Sequence, residues 1–276
     1  MPTQPGVARK RIWIVVSVIG ALITICLFLF GPLFPWSPIQ IGYDKVETRY
    51  ANFYIRDKAK LSYLYTNLDV FLSQTEDLYG LSYHEKMNIV ISVEESELRR
   101  FLPWINWHKV GGVALHTGNV VYINQGKANR NFDSLGFLKH EVTHILFNQN
   151  TSFANAWTAK KQQWLMEGTA VYNSGQYYLS DFEFSNEMTR RDLLYDDQSQ
   201  QLFTNIDPSE GKFNYTLWGH FIKYLVVNHG LGKLQNFIQG YLEQPGDYRI
   251  LFEEVYGFEL SQVMASFINE YRATGE

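Results

Sequence analysis

The sequence is almost free of cysteine: its 276 residues include only Cys26, which lies in an apolar run near the N-terminus. A lone cysteine cannot form a disulfide within the chain, so a small scaffold held together by disulfides is excluded. The rest of the chain also has no thiolate ligand to offer a metal. The fold must therefore rest on a buried core, for which a hydrophobic content of 46% is sufficient.

Basic residues are scarce as well, since 24 Lys and Arg face 28 Asp and Glu and the formal net charge is -4. Arg9, Lys10 and Arg11 stand together before the apolar run, so the remainder of the chain is more acidic still. Proteins that bind nucleic acid need a concentrated positive surface. We therefore expect no nucleic-acid partner.

Charged residues are absent from residues 12–31, a stretch about as long as a helix needs to cross a bilayer. The cations precede it and none follows until Lys45, which by the positive-inside rule places the N-terminus in the cytoplasm. The sequence thus predicts a single-pass protein of the cell membrane, with a cytoplasmic segment 1–11, a transmembrane helix 12–31 and an extracytoplasmic domain. A cleaved signal peptide is the alternative, but the apolar run is longer than usual and no small-x-small cleavage site follows it.

The chain beyond the span divides into a proline-containing stretch, 32–47, which predicts a short, stiff stalk, and a single domain, 48–276. Strands are expected at Arg49–Ile55, Met87–Val93 and Gly118–Asn124, the last after a Gly111–Gly112 turn. Helices are expected from about Asp57, where Leu61 and Leu64 begin a helical spacing, and at 134–148, 160–178, 215–229, 231–243 and 259–272. This order predicts an α+β domain in which a small mixed sheet covers one side of a helical lobe.

One predicted helix carries an H-E-x-x-H pattern, formed by His140, Glu141 and His144. Histidines four residues apart share one helical face, so both imidazoles can bind one zinc ion. Glu141 follows the first histidine directly, and its carboxylate can act as general base toward a zinc-activated water. Leu138 and Val142 make the helix apolar around this face, where histidines without a partner would be costly.

A catalytic zinc site needs a third protein ligand and an open position. The metzincin pattern is absent, because Phe147 and Asn150 stand where glycine and histidine would be required. Glu167 remains, in an apolar run in which a carboxylate needs a partner. We therefore predict His140, His144 and Glu167 as the ligands of one Zn2+ ion.

The two motifs together, H-E-x-x-H and then W-L-x-E-G-x-x-V-Y, resemble those of the gluzincin peptidases, and in particular the catalytic domain of zinc aminopeptidases. The resemblance extends loosely over residues 48–275. It implies a thermolysin-like zincin domain, a peptide or protein substrate, and an edge strand that lines the substrate groove. It also implies that a tyrosine, matched here by Tyr215, stabilises the transition state.

The sequence departs from this family in two ways. The stretch Gly111–Leu115 lacks the glutamate that binds the substrate's free amine in aminopeptidases, which favours an endopeptidase. Val171 stands where thermolysin-like members have an aspartate that orients a histidine ligand. Another group must therefore orient the imidazoles here.

The oxyanion donor has two candidates on one predicted helix, Tyr215 and His220, which point about 140° apart around its axis. Tyr215 shares the side of Trp218 and lies in the first turn, so we favour it. The small residue that the family has three positions after its tyrosine is Trp218 here, and Gly219 follows one later. No functional role is expected for the histidines that lack ligand spacing: His84, His108, His116 and His229.

The sequence therefore predicts a membrane-anchored zinc peptidase that hydrolyses peptide bonds, with Glu141 as base and Tyr215 as oxyanion donor. Two alternatives stay open. One is a non-catalytic binding or regulatory module with the same fold at the membrane. The other is a zinc hydrolase that acts on a non-peptide amide of the cell envelope.

Overall fold

A computed structural model describes most of the chain: residues 5–37, 40–56, 64–115, 118–127, 134–159, 161–191 and 211–273. Two predicted features lie outside these ranges. They are His116 and the expected beginning of the first domain helix, including Leu61.

A long N-terminal helix, α1 (Pro5–Phe30), contains the predicted span. Its segment Ile12–Phe30 is long and apolar enough to cross a membrane, and none of it is buried by the rest of the protein. The helix ends in a tight turn, in which the amides of Gly31 and Leu33 both donate to the carbonyl of Leu27. A 3-10 turn, Phe34–Trp36, follows directly.

The sheet has five strands: β1 (Asp44–Glu47), β2 (Ala51–Ile55), β3 (Met87–Ser92), β4 (Gly112–Leu115) and β5 (Val120–Asn124). Their order across the sheet is β1-β2-β3-β5-β4. The central pairs β2–β3 and β3–β5 are parallel, and the outer pairs β1–β2 and β4–β5 are antiparallel. The sheet is therefore mixed, as predicted, and β4 forms one of its edges.

Ten helices of the described chain follow α1. They are α2 (Leu68–Tyr79), α3 (Glu95–Phe101), α4 (Ser134–Gln149), α5 (Phe153–Ala159), α6 (Gln163–Ser174), α7 (Asp181–Arg190), α8 (Gly211–His229), α9 (Leu231–Glu243), α10 (Tyr248–Tyr256) and α11 (Leu260–Ala273). The predicted α+β class, a small mixed sheet with a helical lobe, is confirmed.

The two faces of the sheet bury different clusters, because alternate side chains of a strand point to opposite faces. Phe53, Ile89 and Val121 face α4 and pack with its Leu138 and Val142. The other face is covered by an aromatic layer: Phe34, Tyr54, Val90, Leu98, Phe101, Leu102, Trp107, Val120 and Tyr122. The sheet therefore separates α4 from this aromatic layer.

The predicted stalk contributes to the aromatic layer. Phe34 is 1% exposed, and its ring centroid lies 4.7 Å from that of Phe101 and 5.0 Å from that of Tyr43. The hydroxyl of Tyr54 donates to the carbonyl of Pro35. Residues 32–47 thus contain a buried aromatic side chain and strand β1. The prolines interrupt any periodic pattern in this stretch, so neither feature could be predicted from the sequence.

Several element boundaries differ from those expected. The single helix predicted over 160–178 is α6 alone, preceded by the separate short helix α5. The predicted Gly111–Gly112 turn is wrong in part, since Gly112 begins strand β4. Helices α3, α7 and α10 were not predicted, because each has ten residues or fewer and shows few turns of apolar periodicity.

Candidate active site

Helix α4 carries His140, Glu141 and His144 between the sheet and the helical lobe. Leu138 and Val142 on one flank pack against the sheet, whereas Phe147 on the other enters the core of the helical lobe. With both flanks buried, α4 cannot rotate without exposing apolar surface, at about 25 cal/mol for each Å². The remaining stripe, which holds the H-E-x-x-H residues, lines a cleft.

Helix α6 carries Glu167 and crosses α8 at very short range. A β-carbon at Gly168 would lie 2.8 Å from the carbonyl oxygen of Trp218, and one at Gly219 would lie 2.5 Å from a methyl of Val171. Glycine at both positions is therefore required for the two helices to approach this closely. The crossing sets Glu167 of α6 beside Tyr215, in the second turn of α8.

The three predicted ligands meet at one point. The Nε2 atoms of His140 and His144 lie 3.2 Å apart, and Oε2 of Glu167 lies 3.1 Å from the first and 3.4 Å from the second. A tetrahedral zinc ion with bonds of about 2.0–2.1 Å holds its ligand atoms roughly 3.3 Å apart. In donor type and spacing, the three side chains fit one face of a zinc tetrahedron, which leaves the fourth position open.

The electrostatics of the two glutamates differ. Burial alone would raise the pKa of Glu167, but the imidazoles of His144 and His140 hold it well below its ordinary value. Burial raises the pKa of Glu141, although the same imidazoles oppose the shift and the backbone N–H of Ala114 donates a hydrogen bond to its carboxylate. One carboxylate is thus held as an anion beside the histidines, and the other has an increased affinity for a proton.

The support of the histidines differs from the thermolysin-like pattern. Val171, at the position of the family's aspartate, packs against the α8 crossing. The Nδ1 atom of His140 is buried and has no hydrogen-bond partner among the described residues. Helix α4 is held to α6 further along, where Asn173 donates to the hydroxyl of Thr143 at 2.8 Å. The expected acceptor for His140 is thus missing from the described part of the chain, and packing holds its ring.

Tyr215 lines the cleft from the second turn of α8, because the helix begins at Gly211, earlier than expected. Its ring centroid lies 6.1 Å from that of His140, and its hydroxyl hydrogen-bonds to the carboxylate of Glu167. The negative charge of Glu167, together with burial, raises the pKa of Tyr215 well above its ordinary value. The phenol therefore stays protonated and can donate a hydrogen bond.

His220, the other candidate donor, lies away from the cleft. It is buried in a separate aromatic cluster, stacked on Phe184 at a ring distance of 4.5 Å, and its Nδ1 lies 3.1 Å from the hydroxyl of Tyr271. Burial lowers the pKa of His220 to about 4, so its ring is neutral near pH 7. Its contacts are those of a core histidine.

The cleft encloses about 320 Å³ between β4, α4, α6 and the second turn of α8. Its wall is formed by Gly112, Val113, Ala114, His140, Glu141, His144, Gln163, Met166, Glu167 and Tyr215. Among the described strands β4 pairs only with β5, so its other edge faces the cleft, where the amide of Ala114 donates to Glu141. A free strand edge can bind an extended peptide through backbone hydrogen bonds.

Two cleft residues and one tyrosine beside the cleft were missed from sequence. Gln163 and Met166 precede Glu167 by four and one positions on the same helix, and helical spacing from a predicted ligand would have found Gln163. Tyr178 lies in the loop after α6, with its ring 5.5 Å from that of Tyr215. Burial and the charges of Glu167 and Glu141 raise its pKa, so its hydroxyl faces the same carboxylates. No local pattern marks a loop tyrosine that reaches the site through tertiary structure.

The chain combines a mixed sheet, a helix with the H-E-x-x-H residues and a glutamate on a following helix. Together these features define the fold of a zinc metallopeptidase of the gluzincin kind. Comparison with known families agrees, since residues 72–271 match the Peptidase MA superfamily. The chain belongs to that superfamily.

Solved structures of M1 enzymes resemble the chain distantly. One is a two-domain M1 zinc metallopeptidase bound to L-arginine, with 12% identity and a TM-score of 0.49 over 83% of this chain and 51% of that one. Another, bound to L-tryptophan, has 14% identity and a TM-score of 0.47 over 82% and 50%. The chain thus spans about half the length of these proteins. No curated protein matches it.

Proposed function

We propose that this chain is a membrane-anchored zinc peptidase whose domain, residues 48–276, uses His140, His144 and Glu167 to hold one zinc ion. The proposal rests on one observation above all. Three donor atoms, separated by 3.1 to 3.4 Å, converge at the wall of a cleft in which the carboxylate of Glu141 also lies. Two ligands and a general base on adjacent turns of one helix suit hydrolysis.

Zinc, when bound, would polarise a carbonyl and lower the pKa of a water molecule toward 7. In this proposal Glu141 accepts a proton from the attacking water and delivers it to the leaving nitrogen. The amide of Ala114 fixes the direction of its carboxylate. Tyr215 supplies a phenol that donates to the oxygen on which negative charge develops.

Endopeptidase action is favoured by the composition of the cleft wall. Besides Glu141 and Glu167, the described wall contains no carboxylate that would bind the free ammonium group of a substrate's first residue. The stretch Gly111–Leu115, which matches the aminopeptidase signature, contains no glutamate. The edge of β4 can instead align an internal segment of a polypeptide.

The anchor in this proposal is α1, with residues 1–11 in the cytoplasm and the domain outside. Arg9, Lys10 and Arg11 precede the span, and the apolar residues of the span are exposed in the structure, as they would be to lipid. Protease added to intact cells should digest the domain and spare a tag placed before Arg9. Protection of the domain together with digestion of the tag would reverse the orientation.

The function is tested by zinc content together with turnover of a random peptide library, using the full chain in detergent and Glu141→Gln as the inactive reference. Zinc at one equivalent with internal cleavage of peptides supports the proposal. Zinc without peptide cleavage would favour a hydrolase of a non-peptide envelope amide. Neither zinc nor cleavage would favour a binding module with this fold.

A further inference from the structure

The surface that faces the membrane is set by the short connection between α1 and the domain. Only Gly31, Pro32 and Leu33 separate Phe30, the last residue of α1, from Phe34, which is buried in the aromatic layer. The four peptide steps from Phe30 to Phe34 can separate their Cα atoms by at most about 14 Å. The aromatic layer therefore lies next to the end of the span.

Three large apolar side chains project outward around this layer. Trp36 is 42% exposed, Ile41 is 52% exposed and Trp104 is 65% exposed. The ring of Trp36 lies against Gly118, two residues before β5, since a β-carbon at Gly118 would lie 2.2 Å from it. Ile41 comes two residues before Tyr43, whose ring lies 5.0 Å from that of Phe34, so all three side chains lie close to the buried layer.

Trp104 is directed outward by its neighbours in sequence. Leu102 and Trp107 are fully buried in the aromatic layer, and Trp107 donates from its indole to the carbonyl of Leu102. This bond closes the loop and leaves Trp104 on the outside. Exposed Arg100 lies in the last turn of α3, just before the loop.

Tryptophan suits the boundary between headgroups and acyl chains, because its ring is apolar and its N–H can stay hydrated. A cation such as Arg100 is attracted to anionic headgroups. Exposed apolar side chains are common on soluble surfaces, and Trp157 with Phe153, one turn earlier on α5, is an example in the helical lobe. The continuity with the anchor distinguishes the surface around Trp104.

We propose that Trp36, Ile41 and Trp104 rest in the interfacial region of the bilayer, so that the aromatic layer faces the membrane. This inference rests on the anchoring part of the proposed function. The sheet then stands between the bilayer and α4. With layers packed about 10 Å apart, this orientation puts the cleft on the side of the sheet away from the membrane, roughly 20 Å from it.

Site-directed fluorescence tests the contact in the full chain. Cys26→Ser removes the only cysteine, and Trp104→Cys then accepts an environment-sensitive NBD label. Trp157→Cys is the matched control, because Trp157 is exposed to 75% and lies on α5, in the helical lobe. Ile41→Cys gives a second, independent probe of the surface. The labelled chains are placed in vesicles that contain phosphatidylglycerol and lipids with a nitroxide near the headgroup.

The label at position 104, and that at position 41, should be quenched by nitroxide lipids at least about twofold more than the label at 157, and should emit at shorter wavelength. Equal, water-like emission at all three positions in chains that float with the vesicles would overturn the inference and leave the anchor intact. Chains that fail to float would refute the anchor as well. The zinc site and the peptidase activity are tested separately, by zinc content and peptide cleavage, and neither fluorescence result bears on them.

Discussion

Gly112 and Glu141 are in contact across the cleft: a β-carbon on Gly112 would lie 2.7 Å from Cγ of Glu141 and 3.0 Å from its Oε1. The catalytic carboxylate proposed here thus lies against a strand position that has no side chain. Ala114, two residues further on the same strand, donates its amide to that carboxylate. Two positions of strand β4, Gly112 and Ala114, therefore fix the position of the Glu141 carboxylate.

Gly112→Ala should displace Glu141 and lower kcat by about 100-fold, since a shift of about 1 Å in a catalytic group has an effect of this size. Zinc content should not change, because Gly112 does not contact the ligands. The control is Leu115→Ala, whose side chain packs on the aromatic layer on the other face of the sheet and is not among the residues of the cleft wall. Peptidase assays on zinc-loaded proteins check this. Equal activity of the two variants would show that the contact does not matter.

Glu141→Gln should keep zinc and the fold but lower turnover by roughly 100- to 10,000-fold, because it removes proton transfer without removing a ligand. Zinc analysis, circular dichroism and peptide turnover are measured on one preparation. Near-normal turnover in the zinc-loaded variant would contradict the role of Glu141 as base.

Glu167→Ala should lose zinc on dialysis, since two histidines alone leave too many open positions around the ion. Gln163→Ala is the matched control: Gln163 lies one helical turn earlier on α6, lines the same cleft, and is not placed as a ligand. The control should retain one equivalent of zinc. If both variants retain zinc, the third ligand must be another residue.

Tyr215→Phe should lower kcat by roughly 100- to 1,000-fold with little change in KM, which is the usual effect of removing one oxyanion donor. His220→Phe preserves stacking on Phe184 and should cost less than about tenfold. Steady-state kinetics on zinc-loaded proteins distinguish the two. The reverse order would transfer the oxyanion role to His220.

The stability of the domain should depend on pH through His220. Its pKa is about 4 in the folded protein, below its ordinary value of 6.5, so between these values the unfolded chain binds more protons. The free energy of unfolding should therefore fall as the pH decreases from 6.5 to 4, by up to about 3 kcal/mol. Asp181, 3.6 Å from Nε2, opposes the shift, and Lys223 adds to it.

Denaturant titrations at several pH values check this dependence. A chelator keeps the natural protein and the variant free of zinc, so that the histidines of the zinc site contribute equally to both curves. His220→Phe should flatten the curve between pH 4 and 6.5. A variant that loses stability with acid as steeply as the natural protein would assign the effect to other groups.

Much of the arrangement around α4 could be predicted because it depends on local spacing. His140 and His144 share a helical face in any α-helix, and the unpaired carboxylate of Glu167 in an apolar run required a partner. The short distances among the three are now a finding, and their roles as ligands stay predictions. Alternation and apolar runs likewise predicted the sheet and most of the long helices.

Long-range contacts decided what could not be predicted. Strand β4 has four residues and begins with a glycine, so only its pairing with β5 identifies it as a strand. Tyr178 reaches the site because the amides of Tyr178 and Leu179 donate to the hydroxyl of Thr216 on α8. The burial of Phe34 likewise depends on partners such as Phe101, far along the chain. Such contacts leave no periodic pattern in the sequence.

The crossing of α6 and α8 limits how this protein could be engineered. Because Gly168 touches the backbone of Trp218 and Gly219 touches Val171, Glu167 and Tyr215 sit on helices that cannot be moved apart or pressed closer without steric conflict or loss of packing. A designer who wants to admit bulkier substrates would gain no room there. Space would have to come from shortening Met166 or remodelling β4, on the opposite wall of the cleft.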